Sequence, residues 1–195
     1  TQYRAALERA PEGLQLRLGL ELGSAQFFPD LARQILSAAP VDFVIGSAHN
    51  LSPALGGEDF YFLPYRTPDE CCRPLDDYFD SLAAIARLDT CAVLGRIIYP
   101  LRYMNGRAGH HITLAPWWDR LASILRDVIT AGRGIEVNTH CGGEVEPWRP
   151  ILALYRDLGG ELVTLGSDAH APSDVGAGIP QAAQLLRECG FRFHA

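Results

Sequence analysis

Two kinds of segment, each with its own pattern of apolar and polar residues, alternate along the chain. Short runs rich in Leu, Ile and Val end in glycine or a polar residue, which is typical of strands buried on both faces of a parallel sheet. Longer amphipathic segments separate these runs, and most of them begin at proline, a residue favoured in the first helical turn. The predicted strands are Leu14–Leu20, Val41–Ile45, Cys91–Leu94, Ile135–Val137 and Leu162–Leu165, with Phe191–Phe193 as a possible last strand. The predicted helices are Pro29–Ala39, Pro74–Leu88, Pro116–Ala131, Pro147–Leu158 and Gln181–Cys189, and Thr1–Ala10 is also expected to be helical.

This strand–helix alternation predicts parallel βα units with right-handed crossovers. A doubly wound sheet would concentrate ligands at one switch point, often beside a glycine-rich phosphate loop. The chain has no GxGxxG or Walker motif, and nearly every predicted strand ends in a polar group, so a barrel fits better. At 195 residues the chain fits one domain, 1–195. It is short for a complete (β/α)8 barrel of ~250 residues. We expect Gly56–Thr67 and Ile98–Ala115 to be long loops at the rim.

The composition of the chain argues against nucleic acid and membranes as binding partners. Lys plus Arg number 17 against 23 Asp plus Glu, a net charge of −6, and no basic stripe for nucleic acid is visible. No apolar stretch approaches the ~20 residues that cross a bilayer, and no signal-peptide pattern is seen. The five cysteines lack regular spacing and two of them are adjacent. Reduced thiols in the cytoplasm and a small-molecule partner are therefore expected, and the oligomeric state stays open.

Acidic and imidazole side chains follow the predicted strands where each strand stops. The carboxyl ends of parallel strands form one rim, so these groups are expected to converge. Gly166–His170 is the most specific element, because its Asp and His lie two residues apart directly after a buried strand. Carboxylate and neutral imidazole suit Zn, Mn or Fe, whereas the structural alternative is a capping Asp beside a surface His. The predicted metal ligands are Glu21, His49, Asp168 and His170.

Several stretches together resemble the polymerase and histidinol phosphatase (PHP) superfamily, and its histidinol-phosphatase branch above all. They are Gly19–Glu21, Asp42–Ser47 with His49, Gly134–Thr139 and Thr164–His170. The loop stretches Gly56–Tyr61 and Tyr99–Tyr103 are also similar to that branch. The resemblance runs from about Gly19 to the C-terminus, with its motifs in the family's order.

The resemblance implies a distorted (β/α)7-type barrel with two or three divalent metal ions (Zn, Mn or Fe). Glu21, His49, Asp168 and His170 would be the catalytic metal ligands, with Glu21 bridging. In such enzymes a metal-bound hydroxide attacks phosphorus while a second metal stabilises the leaving alkoxide. Arg102 would clamp the phosphate through its guanidinium, and Asn138 would also contact the substrate, a small phosphorylated metabolite.

Two departures from the family pattern bear on activity. The opening His-x-His motif has no counterpart, and because the chain starts at Thr1, we expect a missing first strand and an incomplete barrel of about six strands. The third predicted strand should end in Gly-His followed two residues later by Asp, but Gly95–Ile98 reads Gly-Arg-Ile-Ile. Arg96 stays protonated and repels a metal, so we expect one metal site to be lost or weakened. The alternative is that Arg96 takes the cation's place and neutralises substrate phosphate.

Three functions follow as hypotheses. The first is a metal-dependent phosphomonoesterase resembling histidinol-phosphate phosphatase, which converts histidinol phosphate and water to histidinol and phosphate in histidine biosynthesis. For residues 1–195 alone little activity is expected. The second is a catalytically degenerate PHP domain that binds a phosphorylated metabolite or a partner. The third is a PHP-type nuclease, which the acidic balance disfavours. Glu136 is interpreted as a buried structural acid and His140 as a residue that lines the pocket.

Overall fold

A computed structural model of the chain describes residues 2–38 and 40–192. It has five parallel strands and seven α-helices in the described residues, in an alternating α/β order, with short 3-10 and π-helical turns between them. The strands are β1 (Gly19–Gly23), β2 (Phe43–Ser47), β3 (Val93–Leu94), β4 (Gly134–Asn138) and β5 (Val163–Gly166). The helices are α1 (Gln2–Leu7), α2 (Pro29–Ala38), α3 (Asp69–Arg87), α4 (Tyr99–Leu101), α5 (Trp118–Thr130), α6 (Arg149–Asp157) and α7 (Ile179–Glu188).

The five strands form one sheet in the order β1-β2-β3-β4-β5, so each strand pairs with its neighbours along the chain. Such an order, without reversal, is that of a barrel wall and not of a doubly wound sheet. Within residues 2–38 and 40–192, β1 and β5 are the two edges and do not pair with each other. The sheet therefore has five strands in place of the six expected. The possible strand Phe191–Phe193 is not formed at its first two residues, and Phe193 lies outside the described residues.

The first strand begins later than predicted. The strand is Gly19–Gly23 and not Leu14–Leu20, because pairing with β2 starts only where Gly19 lies beside Phe43. The leucine that opens the predicted run, Leu14, is 55% exposed. Glu21 consequently lies inside β1. The expectation that every strand is buried on both faces holds for β4, all of whose residues are buried, but is wrong for β1.

The predicted helices are all present, with shifted ends. Helix α3 starts at Asp69, five residues before the predicted Pro74, because Asp69 and Glu70 supply the acidic first turn that favours a helix N-terminus. Pro74 is thus inside the helix, close to its start. The predicted loop Ile98–Ala115 contains α4 and a π-helical turn at Arg102–Arg107. In the described part of the chain, no helix is long and apolar enough to cross a bilayer.

The main core lies between the sheet and helices α3, α5 and α6. Large side chains fill it, among them Tyr78, Phe79, Trp148 and Tyr155, which are almost fully buried. Since the five strands run parallel, their carboxyl ends lie at the same edge of the sheet. That edge carries the polar residues singled out above.

Candidate functional site at the carboxyl ends of the strands

Arg96 lies at the centre of the charged groups, between two carboxylates. Its guanidinium donates to Glu21 through Nε (2.9 Å to Oε1) and Nη2 (3.2 Å to Oε2). On its other side it donates to Asp168 through Nη1 (2.7 Å to Oδ2) and Nη2 (2.9 Å to Oδ1). Both pairs are two-pronged, the geometry in which arginine binds carboxylates most strongly. The Arg96 and Asp168 side chains are 8% and 9% exposed, whereas Glu21, at 31%, is the more open member of this ion triad.

The triad changes the ionisation of its members. Burial alone would raise the pKa of Glu21, but hydrogen bonds from His49 and Arg96 outweigh it and lower that pKa strongly. Burial would lower the pKa of Arg96, yet the bonds to Glu21 and Asp168 raise it. Glu21 is thus a carboxylate and Arg96 a cation at any ordinary pH.

His49, two residues after β2, is the second group on Glu21. Its Nε2 lies 3.1 Å from Glu21 Oε1, and its ring meets the Tyr99 ring edge-on with centroids 5.1 Å apart. A side chain on Gly23 would press against His49, because its Cβ would lie 3.3 Å from Nδ1. The glycine that ends β1 therefore makes room for the imidazole.

Two histidines surround Asp168 in different ways. Nδ1 of His140 lies 3.3 Å from the Asp168 carboxylate at Oδ2. Nδ1 of His170 instead lies 2.7 Å from the Asp168 backbone carbonyl. The sequence singled out His170 for the carboxylate cluster, whereas the structure brings His140 there. Burial, and then the nearby charge of Arg102, lower the pKa of His140 and favour its neutral form.

Unusual backbone geometry aims these side chains. Arg96, His140 and Asp168 all have positive φ angles, 61°, 44° and 55°. Non-glycine residues rarely adopt this region, and such residues cluster at functional sites. Each of the three follows the end of a strand, where the backbone turns sharply. The hydroxyl of Tyr78, from α3, donates to the Arg96 carbonyl and holds that turn.

A pocket of about 300 Å³ opens beside the triad. Arg102, whose expected role from the family resemblance is to clamp phosphate, lines this pocket. Asn138, at the end of β4, lines it too. Arg102 lies over the Tyr99 ring, 5.7 Å from its centroid, and no carboxylate of the described residues lies within ion-pair distance of it. The other lining residues include Arg96, Tyr99, His140 and Trp148. The pocket thus offers the Arg102 guanidinium, which forms no ion pair within the described residues, and the Glu144 carboxylate, together with aromatic side chains.

The donor set does not fit a divalent metal as it stands. Among the described residues, no group of three or more His, Cys, Asp or Glu side chains is arranged to hold a metal ion. The gap between Glu21 and Asp168 is filled by the Arg96 guanidinium, and a cation there repels a metal. The metal-ligand roles of Glu21, His49, Asp168 and His170 remain predictions.

One contributor, Tyr78, was not predicted as part of the site. Tyr78 gives no signal, because its role depends on α3 packing against the end of β3. His140 lines the pocket as the sequence analysis interpreted it, but its contact with the Asp168 carboxylate was not predicted.

The fold and site define an α/β protein whose parallel strands carry a cluster of charges at their carboxyl ends. The chain is 26% identical over 183 residues to the histidinol-phosphatase of Lactococcus lactis subsp. lactis (strain IL1403), covering 91% of this chain and 66% of that protein. It is 29% identical over 133 residues to a probable histidinol-phosphatase of Thermotoga maritima, covering 66% of this chain and 52% of that protein. These relatives support a relation to histidinol-phosphatases, of which the chain spans two thirds of the length or less.

A solved structure shows the same fold. It is the histidinol phosphate phosphatase (HISK) of Lactococcus lactis subsp. lactis Il1403, complexed with Zn, L-histidinol and phosphate. The superposition has a TM-score of 0.78 at 22% identity and covers 98% of this chain and 74% of that one. No family model matches the chain.

Proposed function

We propose that the chain is a phosphoric-monoester hydrolase of the histidinol-phosphatase type within the PHP superfamily. Its substrate is a small phosphorylated metabolite, with histidinol phosphate as the first candidate, and histidine biosynthesis in the cytoplasm is its setting. The observation that carries the proposal is a pocket with an arginine, Arg102, free of any ion pair among the described residues, at the strand ends of a fold that matches a histidinol phosphate phosphatase over 98% of this chain.

The pocket suits such a substrate in size and charge. A volume of about 300 Å³ is at the lower end of small-molecule sites. Arg102 presents its guanidinium without a carboxylate partner among the described residues, and guanidinium binds phosphoryl oxygens through two parallel hydrogen bonds. Tyr99 and Trp148 supply flat walls beside it, against which an imidazole ring can pack. Asn138 and His140, which also line the pocket, add polar groups to it.

A second function is supported by the position of Arg96. Its guanidinium fills the space between Glu21 and Asp168, where a phosphatase of this type needs cations that activate water. A chain with that arrangement could bind the phosphorylated metabolite without hydrolysing it.

One experiment separates the two functions. Histidinol phosphate is titrated into the protein by calorimetry, and phosphate release is followed with and without added Zn²⁺. We expect binding that Arg102→Ala weakens roughly 10-fold or more, because a charge-assisted contact contributes about 1.5–3 kcal/mol. Arg126→Ala, which removes an exposed arginine of α5, should leave binding unchanged.

The outcomes divide the hypotheses. Phosphate release that falls in the Arg102→Ala variant supports the hydrolase. Binding without release supports the second function. If the protein neither binds histidinol phosphate nor releases phosphate from it, both proposals are wrong.

A further inference from the structure

We propose that Arg96 serves as a built-in cation that takes the place of a divalent metal between Glu21 and Asp168. The site would then be assembled without zinc. This inference deepens the site proposed above and rests on that proposal only for the comparison with a zinc-containing phosphatase.

The hydrogen bonds of Arg96 leave little room for another cation. An arginine side chain has five N–H donors, and four bonds run from Arg96 to Glu21 and Asp168. All four carboxylate oxygens accept from the guanidinium at 2.7 to 3.2 Å. A zinc ion would need the same oxygens at about 2.0–2.2 Å. The guanidinium and the metal therefore exclude each other.

The position of Arg96 is fixed by the fold and is not that of a surface side chain swung inward. Its backbone has a φ of 61°, and its carbonyl accepts from the Tyr99 amide (2.8 Å) as well as from the Tyr78 hydroxyl. The preceding amide, of Gly95, donates to the Gly46 carbonyl (2.8 Å), which ties the turn to β2. With only 8% of its side chain exposed, Arg96 would have to break both ion pairs to leave the site.

The nearby histidines do not complete a metal set. His49 contacts Glu21 at Oε1, which Arg96 also contacts, and His140 contacts Asp168 at Oδ2 in the same shared way. His170 is turned to a backbone carbonyl. One cation thus lies between the two carboxylates where metal ions would otherwise lie, and removing it should open a gap with carboxylate and imidazole ligands on both sides.

The test is a direct measurement of zinc. Protein freed of metal with EDTA is equilibrated with Zn²⁺, passed over a desalting column, and its zinc content is determined by mass spectrometry. The variants are Arg96→His, Arg96→His combined with Glu21→Gln, and Arg96→Lys. Arg126→His is the matched control, because it exchanges the same residue types at an exposed position.

We expect the wild type to bind no zinc at this site, so Glu21→Gln should not lower its zinc content. Arg96→His should gain about one equivalent, which Glu21→Gln abolishes. Arg96→Lys and Arg126→His should gain none. The melting temperature of the wild type should not respond to EDTA, whereas that of Arg96→His should rise by ~3 °C or more with Zn²⁺.

A wild type that retains stoichiometric zinc, and loses it in Glu21→Gln or Asp168→Asn, overturns the inference. This measurement needs no variant at Arg96, so it decides even if Arg96→His fails to fold. It is also independent of turnover. A protein that lacks zinc and releases no phosphate contradicts the hydrolase while leaving the role of Arg96 in place.

Discussion

Glu136 lies in the middle of β4 with 5% of its surface exposed, at the sheet end that carries the triad. Glycines at the ends of the neighbouring strands make room for its carboxyl group. A Cβ on Gly166 would lie 2.3 Å from Oε1, and one on Gly95 would lie 2.9 Å from Oε2. Burial, and then the charge of Glu21, raise the pKa of Glu136 from its ordinary 4.5 to about 7. The carboxyl group therefore holds its proton in the folded protein at mildly acidic pH.

We predict that Glu136→Gln stabilises the protein at pH 8 and not at pH 4. Below pH 4.5 the Glu136 carboxyl is protonated in the folded and unfolded states alike, so it does not lower the free energy of unfolding. Between pH 4.5 and about 7 the carboxyl ionises in the unfolded chain but stays protonated in the folded one, so the free energy of unfolding falls as the pH rises. Above this range the whole loss of stability is present. The amide avoids that cost, on the order of 1–3 kcal/mol. Urea denaturation of both proteins at a series of pH values measures the difference.

Glu12→Gln, the same exchange at an exposed position, is the control and should give no pH-dependent gain. A Glu136→Gln gain of equal size at pH 4 and pH 8 would show that packing, and not ionisation, is its cause.

The sequence was sufficient to bring Glu21, His49 and Asp168 to one place, because strand ends in a parallel sheet share an edge. It did not distinguish His140 from His170. Which imidazole reaches the Asp168 carboxylate depends on two left-handed backbone turns, and single residues do not reveal those. The sequence showed that an arginine, Arg96, stands where the family pattern has a histidine. It did not show that the Arg96 guanidinium bonds both carboxylates.

At the scale of elements, helix α3 approaches strand β2 closely at Gly46. A Cβ on Gly46 would lie 2.8 Å from Ile85 Cγ2 on α3 and 2.8 Å from Cys91 Sγ, closer than real Cβ contacts occur. Both neighbours are buried, so neither can move into solvent. The glycine is required by packing between layers and not by its backbone angles.

We predict that Gly46→Ala destabilises the protein by about 1–3 kcal/mol, the usual cost of overpacking a core. Gly19→Ala, in β1, is the matched control, because its Cβ would lie 3.7 Å from the Phe43 carbonyl oxygen, an ordinary contact. Chemical denaturation of the two variants measures the costs. In a Cys91→Ala background, which removes Sγ but leaves Ile85, the cost of Gly46→Ala should shrink in part, and an unchanged cost there would refute the contact with Cys91 Sγ.

Helices were easier to predict than the first strand. The amphipathic pattern of a helix such as α3 can be read from its own sequence. Only the start of α3 was predicted wrongly, because Pro74 was assigned to the first turn although acidic residues precede it. A strand needs a partner. The apolar run from Leu14 looks like a strand by composition, but hydrogen bonding to β2 decides that β1 begins at Gly19.

At the scale of the whole molecule, the two sides of α2 differ in an unusual way. The helix buries only the small Ala32 and half-buries Leu36 against β1, in a small cluster apart from the main core. Its larger apolar residues are on the outside. Leu31 and Ile35 are 53% and 42% exposed, and Phe28, which directly precedes the helix and is 56% exposed, continues the spacing of their helical face. This apolar stripe lies next to β1, an edge of the sheet within the described residues.

We predict that the 195-residue chain self-associates through this stripe as its concentration rises, because association removes apolar surface from water. Leu31→Glu places a charge in the centre of the stripe and should shift the equilibrium toward the monomer. Ser37→Glu adds the same charge at an exposed position on the opposite side of the same helix and should change association little. Sedimentation velocity over a range of concentrations measures both. Since an unpaired edge strand can also mediate association, the comparison decides between the two surfaces. Association that is unaffected by Leu31→Glu would assign the contact to the edge of the sheet and not to α2.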